Sequence, residues 1–118
     1  MPEQYTSYFW NYIDELVATS EAVIDRRKGT SHPEYEEMVY PLDYGYLAGT
    51  SSADGAGIDV WRGSEDPRRV TGVGCTIDLV KRDSEIKILL GCSDDEIVLV
   101  ANFLNDHHMG CWLVKREK

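Results

Sequence analysis

The spacing of apolar and polar positions changes character along the chain, and each change marks an element. From the start, Tyr5, Tyr8, Phe9, Tyr12, Ile13 and Leu16 fall at i, i+3, i+4, i+7, i+8 and i+11, the stripe of an amphipathic helix with its apolar side against a core. This predicts a first helix ending near Ser20, its aromatic stripe packed inward. A short strand, "EAVIDR", follows, then a turn, "RKGTSHP", and an acidic loop, "EYEEM". Around Asp59 the pattern is that of a strand: Ile58 and Val60 point to one side and Asp59 to the other. The β-rich runs Val70 to Val80 and Ile86 to Gly91 flank "KRDSE" and read as a hairpin. Ser93 with Glu96 three residues later forms a capping-box signature before Ile97, Val100, Ala101 and Leu104, which predicts a second helix. Asp94 and Asp95 sit in its first turn, where the helix dipole favours acids. "CWLVKR" reads as a closing strand. Helix, strands, helix and strand together predict an α+β domain whose strands curl into a small barrel-like sheet.

Composition narrows what such a domain binds. With 118 residues the chain is read as a single domain, residues 1–118, around one core. No apolar run approaches the roughly 20 residues needed to cross a bilayer. "MPEQYTSYFW" lacks the basic start and aliphatic core of an export signal, so the expected location is the cytoplasm, with no membrane partner. Cys75, Cys92 and Cys111 form no CxxC pair and read as buried free thiols. The net charge of −9 repels phosphate backbones, which argues against nucleic acid as a partner. The same charge suits a divalent cation, whose preferred ligands are carboxylates.

The acids around the central glycines carry the candidate chemistry. Asp54 precedes Gly55, a common turn pair, and is equally a turn residue or a ligand. Asp59 is a poor strand former on the face away from Ile58 and Val60. Glu85 and Lys87 alternate with Ile86 and share one strand face. A carboxylate and an ammonium on one face suit a metal–phosphate site, since Mg²⁺ takes one or two carboxylates and shares its other positions with phosphate oxygens. The competing reading is the solvated face of a hairpin.

The stretch "YPLDYGYLAGTSSADGAGIDV", Tyr40 to Val60, resembles the central segment of the family I soluble inorganic pyrophosphatases. Tyr-Pro, Tyr-Gly-Tyr, Gly-Thr, Asp-Gly and Ile-Asp-Val occur in the family's order and spacing. A weaker likeness extends from Val23 to Leu104, so the chain looks like a short, divergent member. The resemblance implies a small closed β-barrel of the OB type with helices outside, and hydrolysis of pyrophosphate to two phosphates with Mg²⁺, or Mn²⁺ in its place. It implies Asp54, Asp59 and Glu85 as metal ligands, and Lys87 and Tyr44 as catalytic groups. Tyr40 matches a Tyr near the phosphates, His32 falls near the place of an expected phosphate-binding Arg, and Arg26 and Lys28, in a basic run, are candidates to replace the missing phosphate ligands. The chain departs from the pattern at Ala56, where the family has the acid that helps deprotonate the attacking water, at Val80, where a further metal ligand is expected, and at Val23, in place of a Glu. Asp78 lies near Val80 and compensates only if the register slips. Two functions follow as expectations: a weakened Mg²⁺-dependent pyrophosphate hydrolase, or a protein that binds a divalent cation with a phosphate or nucleotide ligand without turnover. A third reading is an assembly module, in which the aromatic first helix buries against another subunit of a homo-oligomer.

Overall fold

The computed structural model describes residues 3–52, 54–106 and 108–117, with side chains from residue 6 onward. The first helix, α1, spans Glu3–Ala18, and strands β1 (Ala22–Arg26), β2 (Asp43–Leu47), β3 (Asp59–Arg62), β4 (Val70–Asp78) and β5 (Asp83–Leu90) follow. Helix α2 (Asp94–Leu104) and strand β6 (Met109–Lys115) complete the chain. The strands form one mixed sheet in the order β1-β2-β3-β5-β4-β6. All neighbours run antiparallel except β3 and β5, which run parallel.

The sheet carries an apolar layer on each face, as the period of two along a strand requires. On one face Val60, Val73, Ile88 and Leu90 pack with Ile13 and Val17 of α1. On the other, Trp61 and Leu89 pack with Ile97, Val100 and Leu104 of α2 and with Tyr40 and Leu42 from the loop before β2. This division corrects the expectation of a closed barrel. Among the described residues β1 and β6 lie at opposite ends of the sheet order and do not pair. Closure requires one face to become a common interior, whereas here each face has its own helical cover.

The helix ends follow the capping chemistry read from the sequence. The Ser93 Oγ accepts from the Glu96 N–H at 3.3 Å, and the Glu96 carboxylate accepts from the Ser93 N–H at 2.8 Å, which satisfies donors that a helix start leaves open. The same carboxylate accepts from the Ser64 N–H at 3.1 Å, so the cap also holds the loop after β3. Helix α1 is fastened through Arg116, which donates to both Asp14 oxygens at 2.7 and 2.8 Å and lies over the Trp10 ring.

Two expectations change on inspection of the packing. The aromatic stripe of α1 does not face inward as a unit: Ile13 and Val17 are buried and Trp10 partly so, while Tyr8, Phe9 and Tyr12 are exposed. A buried set at i, i+3 and i+7 already fills the contact with the sheet, and Tyr12, one residue before Ile13, is rotated about 100° from it. The Tyr5 side chain is outside the described residues. The second change is β2, a strand that the sequence pattern before Asp54 does not predict. Gly45 is buried opposite Ile24, and a Cβ there would stand 1.8 Å from the Val23 carbonyl oxygen. This glycine serves close strand approach, not flexibility.

Gly45→Ala is therefore expected to destabilise the fold by well over the ~1 kcal/mol typical of point substitutions, read as a lowered urea midpoint. An unchanged midpoint would mean that β1 and β2 do not approach as described.

Candidate functional site

Strand pairing assembles a polar cluster on the face that α2 covers. The parallel register sets Asp59 opposite Lys87, and the antiparallel register sets Tyr46 opposite Asp59 and Trp61 opposite Tyr44. Asp59, Trp61, Glu85, Lys87 and Leu89 then share one side of the sheet, two residues apart along each strand. The Lys87 Nζ donates to the Asp59 Oδ2 at 2.5 Å and lies 3.8 Å from the Glu85 Oε2. The Tyr44 phenol lies close enough to Asp59 to feel its carboxylate. All of this is largely dry: the Lys87 and Glu85 side chains are 8% and 6% exposed, and Asp59 is 19% exposed.

The surroundings decide the charge states. Burial first, then the Asp59 carboxylate, hold the Tyr44 phenol well above the usual tyrosine range, so it is a neutral donor and not a base. Burial likewise raises the Glu85 carboxyl; Lys87 opposes the rise, while Asp59, Asp54 and Asp83 add to it. A single ammonium thus serves two carboxylates, and the negative charge around Glu85 is not fully balanced.

Beneath this cluster lies an aromatic floor. Tyr40 stacks on Tyr44 at 5.4 Å between ring centroids, Tyr44 meets Trp61 at 4.7 Å, and Phe103 closes on Tyr40 at 5.2 Å. Arg26 donates to the Tyr40 hydroxyl and lies over the Tyr40 and Tyr44 rings at 5.5 and 6.0 Å. His32 stacks against Tyr40 at 6.2 Å, its Nδ1 accepting from the Glu34 N–H. Tyr40, Tyr44, Arg26 and His32 are therefore contiguous, and Tyr44 joins them to Asp59 and Lys87.

Other candidates stand apart. The Lys28 side chain is exposed; its backbone N–H is what is held, by the Asp43 Oδ1 at 2.9 Å. Asp54 is exposed, and its Oδ1 accepts from the Ala56 N–H at 3.0 Å and the Ser52 hydroxyl at 2.9 Å, a side-chain turn of the kind Asp-Gly sequences adopt. The Ala56 N–H, then Ser52, hold its carboxyl below the usual range. Asp78 is buried, but its carboxylate accepts from the N–H groups of Val80 and Lys81 at 2.9 and 3.0 Å and so caps the β4–β5 turn. It pairs with Asp83, two residues before Glu85.

Among the described residues no group of three His, Cys, Asp or Glu side chains gathers in metal-ligating geometry. Asp59 and Glu85 both lie against the Lys87 ammonium; a divalent cation that shares its coordination with a phosphate needs one or two carboxylates. These two residues do not fit a cluster of several ions.

Trp61 and Phe103 complete the floor and escape the motif-based reading, although Trp61 sits two residues from Asp59 and so must share its face. Cys111 also reaches this side: its thiol is raised to about 11, by burial and then by Cys75, with the Lys87 charge opposing. No local pattern ties Cys111 to Lys87, since β6 meets β5 only through β4.

No protein-family model and no curated protein matches the sequence. Solved structures do match. An enzyme of Anaplasma phagocytophilum described as an inorganic phosphatase aligns with TM-score 0.56 and 14% identity, over 80% of this chain and 81% of that one. The inorganic pyrophosphatase of Helicobacter pylori aligns with TM-score 0.56 and 17% identity, over 83% and 84%. That of Coxiella burnetii aligns with TM-score 0.53 and 15% identity, over 81% and 83%. The chain has a pyrophosphatase-like α+β fold, and at these identities the likeness concerns the fold alone. No helix among the described residues is long and apolar enough to cross a membrane.

The raised Glu85 carboxyl has a measurable sign. A carboxyl whose folded pKa exceeds its unfolded value contributes its stability below the unfolded pKa and loses it as pH rises through the folded pKa. Glu85→Gln, which cannot ionise, should match the native protein near pH 4 and gain in melting temperature relative to it towards pH 8. A difference independent of pH would contradict the burial and charge balance described for Glu85.

Proposed function

We propose that the protein binds a small phosphoanhydride of the pyrophosphate class together with one divalent cation, and that efficient hydrolysis has been lost. The observation that carries this reading is the Asp59–Lys87–Glu85 arrangement, in which two largely buried carboxylates share one ammonium. Asp59 and Glu85 would hold Mg²⁺ or Mn²⁺, and the bound ion would neutralise phosphate oxygens that Lys87 does not reach. Lys87 presents the positive charge from the protein side, Tyr44 lies beside the Asp59 carboxylate, and Arg26 with Tyr40 offers further donors at the cluster's margin. His32 braces Tyr40. Lys28 is exposed and contributes through long-range charge alone.

The reading of reduced turnover rests on Ala56 and Asp54. Ala56 supplies no carboxylate, and Asp54 spends its Oδ1 on a turn. A positioned general base contributes typically about 10²–10⁴-fold, so its absence outweighs the retained contacts. A second reading, slow Mg²⁺-dependent hydrolysis of pyrophosphate, is favoured by the intact Tyr44–Asp59–Lys87 chain of contacts. Under either reading the ligand is small and anionic.

Two measurements on one sample separate these readings. Titration calorimetry with imidodiphosphate, a non-hydrolysable analogue, should show binding that requires Mg²⁺ and is lost in Asp59→Asn. Phosphate release from pyrophosphate should be at background for the native chain and should rise at least about tenfold in Ala56→Asp, where the acid is restored. Binding of the analogue without Mg²⁺, or no binding at all, contradicts the proposal; native turnover that Asp59→Asn abolishes replaces it with the second reading.

A further inference from the structure

The Lys87 side chain carries its charge in a largely dry place. It is 8% exposed, and its amine stands between two carboxylates, 2.5 Å from the Asp59 Oδ2 and 3.8 Å from the Glu85 Oε2. Asp59 meets it from β3 across the parallel register, and Glu85 lies two residues earlier on the same strand. The other flank of Lys87 is different in kind. Its partner on β4 is Gly74, and a Cβ there would stand 3.1 Å from the Cys111 Sγ and 3.7 Å from methyl groups of Leu104 and Leu113. Those groups are neutral. Among the described residues, the carboxylates that pair with the Lys87 ammonium are therefore Asp59 and Glu85.

This arrangement sets two demands against each other. A divalent cation draws on carboxylate oxygens, and the Asp59 and Glu85 oxygens nearest Nζ already face the ammonium. A second positive charge brought to the same oxygens is repelled by the first at close range. The ammonium, for its part, cannot simply withdraw. A buried charge that loses its partner is strongly destabilising, and the flank of Cys111, Leu104 and Leu113 offers no replacement. A phosphate group does, because its oxygens accept charge-assisted hydrogen bonds from lysine as a carboxylate does.

We propose that Lys87 stands in for the cation: it bridges Asp59 and Glu85 by itself, and yields them to a divalent cation only when a phosphate group is present to receive the ammonium. This rests on the reading of Asp59 and Glu85 as cation ligands and adds a rule of coupling to it. Cation and anion bind as a pair and each binds weakly alone, because the two carboxylates do not hold the ammonium and the cation together. The cluster thereby discriminates against free divalent cations. It selects the ion-paired form of a phosphate ligand.

Calorimetric titration of the full chain with Mg²⁺, with and without inorganic phosphate, tests the coupling on the native protein. Phosphate should tighten Mg²⁺ by about 5–150-fold, the usual span of coupling between two sites. Direct attraction between the two ions also tightens binding, so the decisive comparison is with Mg²⁺ alone. Lys87→Met removes the stand-in and should bind Mg²⁺ without phosphate at least about fivefold more tightly than the native chain. Lys87→Gln, which keeps a polar end, should do the same and serves where Lys87→Met does not fold. Lys87→Arg keeps the charge and should remain as weak as the native chain. Asp59→Asn combined with Lys87→Met should lose the gain, which assigns the ion to this cluster. A native affinity for Mg²⁺ that ignores phosphate overturns the proposal, and so do Lys87→Met and Lys87→Gln variants no tighter than native; either result leaves the cation reading of Asp59 and Glu85 standing. Absence of Mg²⁺ binding in every variant, with and without phosphate, overturns both.

Discussion

The contact on which the rest of the site depends is the Lys87 ammonium against the Asp59 carboxylate, 2.5 Å apart and 28 residues distant in sequence. An ammonium this buried needs a charged partner, since removing one member of a buried pair leaves an uncompensated charge at a cost of about 3–5 kcal/mol. The pair also fixes the parallel register of β3 on β5. A slip of β3 by one residue would turn Asp59 to the face opposite Lys87 and would exchange Trp61 with Val60 between the two cores. Charge pairing and hydrophobic sorting therefore specify the same alignment.

From that alignment the remaining features follow in order. With Asp59 and Trp61 on one face, the Tyr44 and Tyr46 positions of β2 fall opposite Trp61 and Asp59, so Tyr44 lies near Asp59 while its ring packs on Trp61. Tyr40, Phe103 and Arg26 build on that ring. The cluster thus has one apolar side and one charged side. The acids outside it have become structural. Asp54 closes a turn and Asp78 caps a hairpin, each using lone pairs that a metal would otherwise take.

Much of this is legible in the sequence where the signal is local. The capping box at Ser93 and Glu96 depends on residues three apart and appears as read. The alternation of Glu85, Ile86 and Lys87 places the acid and the ammonium on one face, as found. Tyr-Gly-Tyr and Ile-Asp-Val mark the segments that supply Tyr44 and Asp59. What escapes is non-local. Helical periodicity defines the apolar stripe of α1 but not how wide a contact the sheet offers, so Tyr8, Phe9 and Tyr12 read as core and are exposed. Strand β2 is hidden because "DYGYL" is poor in β-branched residues and its glycine serves a neighbouring strand that local pattern does not reveal. Closure of the sheet is a property of the strand order, which the spacing of elements does not encode.

The central claim is that Asp59 and Lys87 act as one buried unit, and a double-mutant cycle on stability measures it most directly. Asp59→Asn and Lys87→Met should each lower the unfolding free energy by about 3–5 kcal/mol, and the double variant should lose less than their sum by at least ~1 kcal/mol. Losses that add to within about 0.5 kcal/mol would show the two groups to be independent and would contradict the account.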